Sequence, residues 1–231
     1  MTSVFQNDAP PRRESARRAL AVESSGAATE SMGGVAVVVL AILALVGVMP
    51  MALTAIAGIV FGAALLIEGA ALASRHNSLM AAASGSEPAM LEFGAGMSTE
   101  VVAGVAGIVL GVLALIGVAP QPLLASLVLV GGAGLMFSAG SVRELNEISA
   151  AINHLGLAPR RISRSAVNSA IGAQLFSGLA AVILGVLALI PRVGANMVLT
   201  MAGLLVLGAA EMLTGSALSG RLLGVLNRRR I

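Results

Sequence analysis

The 231-residue chain contains no cysteine, tryptophan, tyrosine or lysine. The missing cysteine excludes disulfides, thiolate metal sites, covalent haem attachment and cysteine nucleophiles together. Without tryptophan and tyrosine there is no aromatic belt to sit at lipid headgroups. Every basic residue is arginine, and Ala, Gly, Val and Leu abound, a composition that fits a GC-rich bacterial genome. Charge is also scarce. Charged residues make up 11% of the chain, against about 25% in soluble domains. Hydrophobic residues reach 57% and the mean hydropathy is +0.96. No water-facing surface can be built from this alphabet, so the expected solvent is lipid. The net charge of +3 does not point to nucleic acid. The arginines flank apolar segments, and no aromatics interleave with them to stack bases.

Six apolar stretches are present, at 32–49, 51–74, 100–119, 122–142, 169–190 and 195–219. Each approaches the ~20 residues that cross a bilayer as a helix. Apolar–polar alternation is absent, and lipid admits only helices or closed barrels. The fold class expected is therefore all-α integral membrane. The stretches come in pairs joined by short proline-containing links, "GVMPMA", "GVAPQP" and "IPRVGA". Proline cannot continue one helix but suits the start of the next. Links this short make each pair an antiparallel hairpin. Six transmembrane helices then form three repeated antiparallel hairpins.

The phrase "LAILALVGVMP" (40–50) returns as "LGVLALIGVAP" (110–120) and "LGVLALIPRVG" (184–194). Aligned without gaps before it stand "ATESMGGV" (28–35), "STEVVAGV" (98–105) and "GAQLFSGL" (172–179). After the turn come "GAALLIEGAALASR" (62–75), "GAGLMFSAGSVREL" (132–145) and "GAAEMLTGSALSGR" (208–221). A unit written three times is a structural signal in its own right. The expected organisation is a basic polar tail (1–30), hairpins at 31–75, 100–142 and 169–221, connections at 76–99 and 143–168, and a basic tail at 222–231. Val142, Leu145, Ile148, Ile152 and Leu155 recur at helical spacing, so the fourth helix should extend amphipathically toward Gly156. "SEPAML" (86–91) reads as a capped helix start. The long polar segment before the first apolar run differs from a secretory signal, and residues 1–30 read as a retained tail.

Placing both termini and both connections on one side gathers every arginine except Arg192 there. The positive-inside rule makes that side cytoplasmic and puts the three turns outside. The localisation expected is the bacterial inner membrane, multi-pass, with both termini inside.

Few residues carry chemistry. Gly58, Gly62, Gly107, Gly111 and Gly185 lie on small-residue stripes, the surfaces through which helices approach closely in lipid; hinge glycines of a gate are the functional alternative. Glu68 and Glu211 are acidic residues inside the second helices, about 10 and 13 Å from the helix ends at ~1.5 Å per residue. Glu68 aligns with Ser138 and Thr214, and Glu211 with Leu65 and Leu135. The two levels are three residues apart, on one helix face. A charge at a helix centre costs roughly 2.5–3.5 kcal/mol for Asp, Lys or Arg, so these four residues form a candidate intramembrane proton or polar site. The plain alternative is a structural interhelical hydrogen bond, or Glu68 reaching back to the interface. Glu30, Glu100 and Gln174 stand where each hairpin begins. They line a candidate cytoplasmic mouth, or else simply complement helix N-termini. His76 and His154 lack ligand spacing, so no metal is expected. No P-loop, dinucleotide loop, nucleophile elbow or His-Glu-x-x-His motif occurs. No cofactor and no enzymatic activity are expected.

"GIVLGVLALIGVAP" (107–120) and "GGAGLMFSAG" (131–140) resemble the short membrane repeat of HdeD-like proteins. The resemblance covers the membrane part, about two thirds of the chain, and is carried by small apolar residues. It implies six inner-membrane helices and a link to acid resistance. The long tail and connections depart from that family. Rotor-ring proteolipids share a glycine-rich helix, a short turn and a helix glutamate, but their turn faces the cytoplasm and their glutamate repeats, so that likeness is rejected. Two functions stand: a structural or stress-response protein that packs, oligomerises or recruits a cytoplasmic partner, and a small channel or proton-linked carrier using Glu211 and Glu68. Polar density favours the first, because a carrier path needs more polar lining than these helices contain.

Overall fold

The computed structural model describes residues 31–84, 99–153, 164–191 and 196–227. Among them are six helices and no strand: α1 (Ser31–Leu45), then α2 (Pro50–Ser84), α3 (Thr99–Leu115), α4 (Pro120–Asn153), α5 (Arg164–Leu189) and α6 (Asn196–Asn227). Stretches in α2, α4, α5 and α6 are long and apolar enough to cross a membrane. α1 and α3, each 10–17 residues, are apolar but shorter. Several helices outrun the apolar stretches. α2 continues through the Ala-rich "MAAAS" to Ser84, and α4 reaches Asn153. Alanine is the best helix former, so the helix outlasts the hydrophobic run.

α1 and α3 stop for a local reason. Gly47 and Gly117 take left-handed conformations, with φ of 96° and 90°. The Gly47 N–H donates to the Ala44 carbonyl and the Val48 N–H to the Leu43 carbonyl, both at 3.0 Å. Gly117 and Val118 repeat the pattern onto Ala114 (3.1 Å) and Leu113 (3.0 Å). This is the Schellman stop, in which a glycine beyond the helix turns the chain and satisfies its last carbonyls. Proline then opens the next helix at Pro50 and Pro120, where its missing N–H costs nothing. The first two hairpin turns are thus each a glycine stop followed by a proline start, whereas α6 begins at Asn196. Between them, Met49 and Ala119 also hold positive φ, 41° and 36°, a strain of about 1–2 kcal/mol for a residue with a Cβ.

Packing is organised by glycine. α3 lies along both α2 and α4, and α5 along both α4 and α6. At the α2–α3 crossing a Cβ added to Gly104 would sit 2.6 Å from the Gly62 carbonyl oxygen, and one on Gly62 would sit 2.6 Å from that of Gly104. At the α4–α5 crossing Gly132 and Gly178 stand in the same relation at 2.7 Å each way. At the α1–α6 crossing a Cβ on Gly34 would lie 2.7 Å from the Gly208 oxygen, and one on Gly208 3.0 Å from the Gly34 oxygen. The first helix therefore packs on the last. Side chains are excluded at all three places, and the backbones themselves supply the dispersion contacts.

Valines and leucines point away from these crossings: Val35 and Val39 on α1, Val102 and Val105 on α3, Leu179 and Ile183 on α5 are all exposed. α2, α4 and α6 each touch the other two and hold most of the buried side chains, among them Phe61, Leu65, Leu127, Leu135, Leu204 and Leu207. The core lies where these three helices meet.

Candidate functional site

Where α2, α4 and α6 meet, one level contains Phe61, Gly131 and Leu207. A Cβ on Gly131 would lie 2.6 Å from Phe61 Cε1 and 3.0 Å from Leu207 Cδ1. The glycine makes room for the phenyl ring, so one large and one absent side chain fill a single layer. Toward the turns, Gly58 receives Leu127 and Gly203 receives Val128 in the same way. Beyond them Thr54, Leu124 and Thr200 are buried. The Thr54 hydroxyl donates to the Pro50 carbonyl and that of Thr200 to the Asn196 carbonyl at 3.0 Å. Both hydroxyls serve their own helix backbone, as intrahelical threonines do. Apart from these two hydroxyls, the core from Thr54 and Thr200 to Phe61 is apolar and closely packed.

One helical turn farther from the turns stand Leu65, Leu135 and Glu211, exposed by 0%, 1% and 0%. The glutamate occupies the level that leucine fills on the other two helices. Its Oε2 lies 3.9 Å from where a Cβ of Gly33 would be, and the Ala64 Cβ lies 2.9 Å from that same point. The absent Cβ of Gly33 makes room for Ala64 on α2, and the Glu211 carboxyl lies at ordinary contact distance from the same point. Another turn on come Glu68, Ser138 and Thr214. Glu68 is half-buried, Ser138 is fully buried, and the Thr214 hydroxyl donates to the Ala210 carbonyl at 2.7 Å. Along these helices Glu211 is one level from Glu68, Ser138 and Thr214, and the Thr214 hydroxyl is directed to its own backbone.

Of the three residues expected at a mouth, Glu30 lies outside the described residues. Glu100 and Gln174 are 1% and 4% exposed, enclosed by helix packing. Neither carboxylate oxygen of Glu100, nor the Ser138 hydroxyl, has a hydrogen-bond partner among the described residues. No group of three or more His, Asp or Glu that could hold a metal ion occurs among them either. The arginine-bearing tail 1–30, the 86–91 helix start, His154 and Arg192 also fall outside the described residues.

Gly62, Gly107 and Gly111 lie on the α2–α3 crossing: a Cβ on Gly107 would be 3.2 Å from the Gly62 Cα, and one on Gly111 3.0 Å from the Ala55 oxygen, whereas Gly58 makes room for Leu127 on α4. A Cβ on Gly185 would lie 2.8 Å from the Leu129 nitrogen on α4. The sequence reading did not single out Gly34, Gly104, Gly178, Gly132 or Gly208, which make the reciprocal contacts. A signal was present: in the aligned copies, Gly34, Gly104 and Gly178 occupy one column, and Gly62, Gly132 and Gly208 another.

No family model matches the chain, and no curated protein or solved structure matches it.

Proposed function

We propose that this chain is a six-span protein of the bacterial inner membrane, three hairpins closed around a pseudo-threefold axis, with a structural rather than a transporting role. The observation that supports this most is the filled axis. Phe61, Leu127, Val128, Leu204 and Leu207 are buried there, and at Gly58, Gly131 and Gly203 neighbouring side chains take the place of the missing Cβ. A carrier needs a polar path with two accessible ends, and this packing supplies apolar contacts instead. The matched glycine crossings support the threefold reading. The exposed valine and leucine faces of α1, α3 and α5 suit lipid contact, and the arginine distribution supports cytoplasmic termini. The helices would act as a platform that oligomerises or presents the basic tail and connections to a cytoplasmic partner. A stress-response or acid-resistance role rests on the resemblance to the HdeD-like repeat.

The competing reading, a proton-linked channel or carrier, is carried by Glu211 at the core and Glu68 one level away. Purified protein in liposomes under an imposed pH gradient separates the two. Vesicles that stay as tight as protein-free ones, with and without Glu211→Gln, agree with the structural role. A flux in the unsubstituted protein that Glu211→Gln abolishes overturns it.

A further inference from the structure

We infer that Glu100 and Ser138 form a binding site for a single alkali-metal cation at the end of the α3–α4 hairpin remote from its turn. Both residues lie on the side of the α3–α4 contact away from the turn. A Cβ on Gly134 would lie 2.7 Å from the Ala103 Cβ, which fixes where the antiparallel helices touch. Glu100 lies one turn before Ala103 on α3, and Ser138 one turn after Gly134 on α4, so both residues move from that contact in the same direction. On its other side α3 packs on α2, where a Cβ on Gly104 would be 2.9 Å from the Leu66 nitrogen. Glu100 is thus enclosed where α3 begins, against the middle of α2 and of α4.

Both groups are 1% exposed, and neither the Glu100 carboxylate oxygens nor the Ser138 hydroxyl has a hydrogen-bond partner among the described residues. A buried carboxylate without a partner is costly, and charge compensation removes that cost. The donors fix the kind of partner. Carboxylate and hydroxyl oxygens suit a hard cation rather than a soft or borderline metal. One carboxylate balances one positive charge, and no group of three or more acidic or imidazole ligands is assembled among the described residues. A monovalent ion fits both conditions. The other charged or titratable groups on the helices packed against α3 are Glu68, Arg75 and His76 on α2, and Arg143, Glu144 and Glu147 farther along α4. In the third hairpin the position of Glu100 is filled by Gln174, itself 4% exposed, so a neutral amide fits this register and that copy lacks the charge.

The site requires only the packing of α3 on α2 and α4, and it stands whether the protein scaffolds or transports. The full chain in detergent is melted by circular dichroism while NaCl or KCl replaces choline chloride at constant ionic strength, at several pH values. The expected result is a saturable rise in melting temperature with sodium or potassium but not choline. Glu100→Gln should remove the dependence while melting in choline no earlier than the unsubstituted protein. Ser138→Ala should keep the dependence with a midpoint raised about tenfold, the scale of one contact to a charged group. Three outcomes overturn the proposal: no cation-specific rise, a rise that survives Glu100→Gln, or a stability that follows pH alone and loses that response in Glu100→Gln, which would make a proton the occupant. Ser138→Ala decides the matter if Glu100→Gln does not fold, since an unchanged midpoint there also overturns it.

Discussion

The glycine crossings invite a quantitative test at Gly104. Replacing it with alanine places a Cβ 2.6 Å from the Gly62 oxygen and 2.9 Å from the Leu66 nitrogen, both backbone atoms that cannot rotate away. Relief to an ordinary 3.4 Å contact opens the α2–α3 crossing by about 0.8 Å. A gap of ~0.5–1 Å forfeits a quarter to a half of the dispersion well for each atom pair across it. Neighbouring close contacts at Gly107 and Gly111 weaken with it. Overpacking of this kind costs about 1–3 kcal/mol, and the helix-propensity gain of alanine over glycine returns up to ~1 kcal/mol. The expected net loss is about 1–2 kcal/mol. Gly172 in α5 is the matched control, because a Cβ there meets nothing within 4 Å; Gly172→Ala should be neutral or stabilising by up to ~1 kcal/mol. Unfolding in mixed micelles, followed by far-ultraviolet circular dichroism, reads both, since the chain has no tryptophan or tyrosine to report by fluorescence. Gly178→Ala should cost about what Gly104→Ala costs, and Gly34→Ala more, because a Cβ there meets the Met212 backbone nitrogen as well as the Gly208 oxygen. Pairing Gly104→Ala with Gly62→Ala should cost less than the sum, because one displacement accommodates both methyls. If Gly104→Ala proves as harmless as Gly172→Ala, the close backbone approach is not what holds these helices together.

Gly117→Ala should destabilise by about 1 kcal/mol for steric strain at φ 90°, although open space surrounds it; an unchanged melting temperature would deny the glycine its role in ending α3. Glu211→Leu places on α6 the residue found at Leu65 and Leu135, and should lower stability by about 1–3 kcal/mol because it removes the interaction the buried carboxyl group makes. An unchanged or raised melting temperature would deny that carboxyl a bracing role. The absence of cysteine makes Gln121→Cys, exposed beside the second turn, a single reporter for topology. A membrane-impermeant thiol reagent should label it in intact cells, and labelling only after access to the cytoplasm would reverse the proposed orientation.

Helices and links were legible because two signals coincided at each turn, an apolar phrase and a proline. The stop itself was less visible. Proline marks where α2 and α4 begin, whereas Gly47 and Gly117 end α1 and α3, and the backbone hydrogen bonds that show this leave no trace in hydropathy. The choice between neighbouring stripes was also hidden. Gly33 and Gly34 are adjacent, yet one borders the Glu211 carboxyl and the other meets the Gly208 backbone; only the angular position of α6 around α1 distinguishes them. Glu211 stood out in the sequence as a charge among leucines, and its level is that of Leu65 and Leu135. Glu100 was harder to weigh. Acidic residues are common in a first helical turn, and nothing local signals that packing from α2 and α4 would enclose this one.

The contact between Gly34 and Gly208 joins the first helix to the last. During synthesis α1 therefore emerges with a glycine face whose partner is still untranslated, and it must wait through two further hairpins before that face is covered. The bundle is closed by its final helix, so a chain interrupted before α6 leaves two open flanks, one on α1 and one on α5. The α1 flank keeps its bare Gly34 face, while α5 already uses the matching Gly178 face on Gly132 of α4, so an incomplete chain can pair through α1 with another copy.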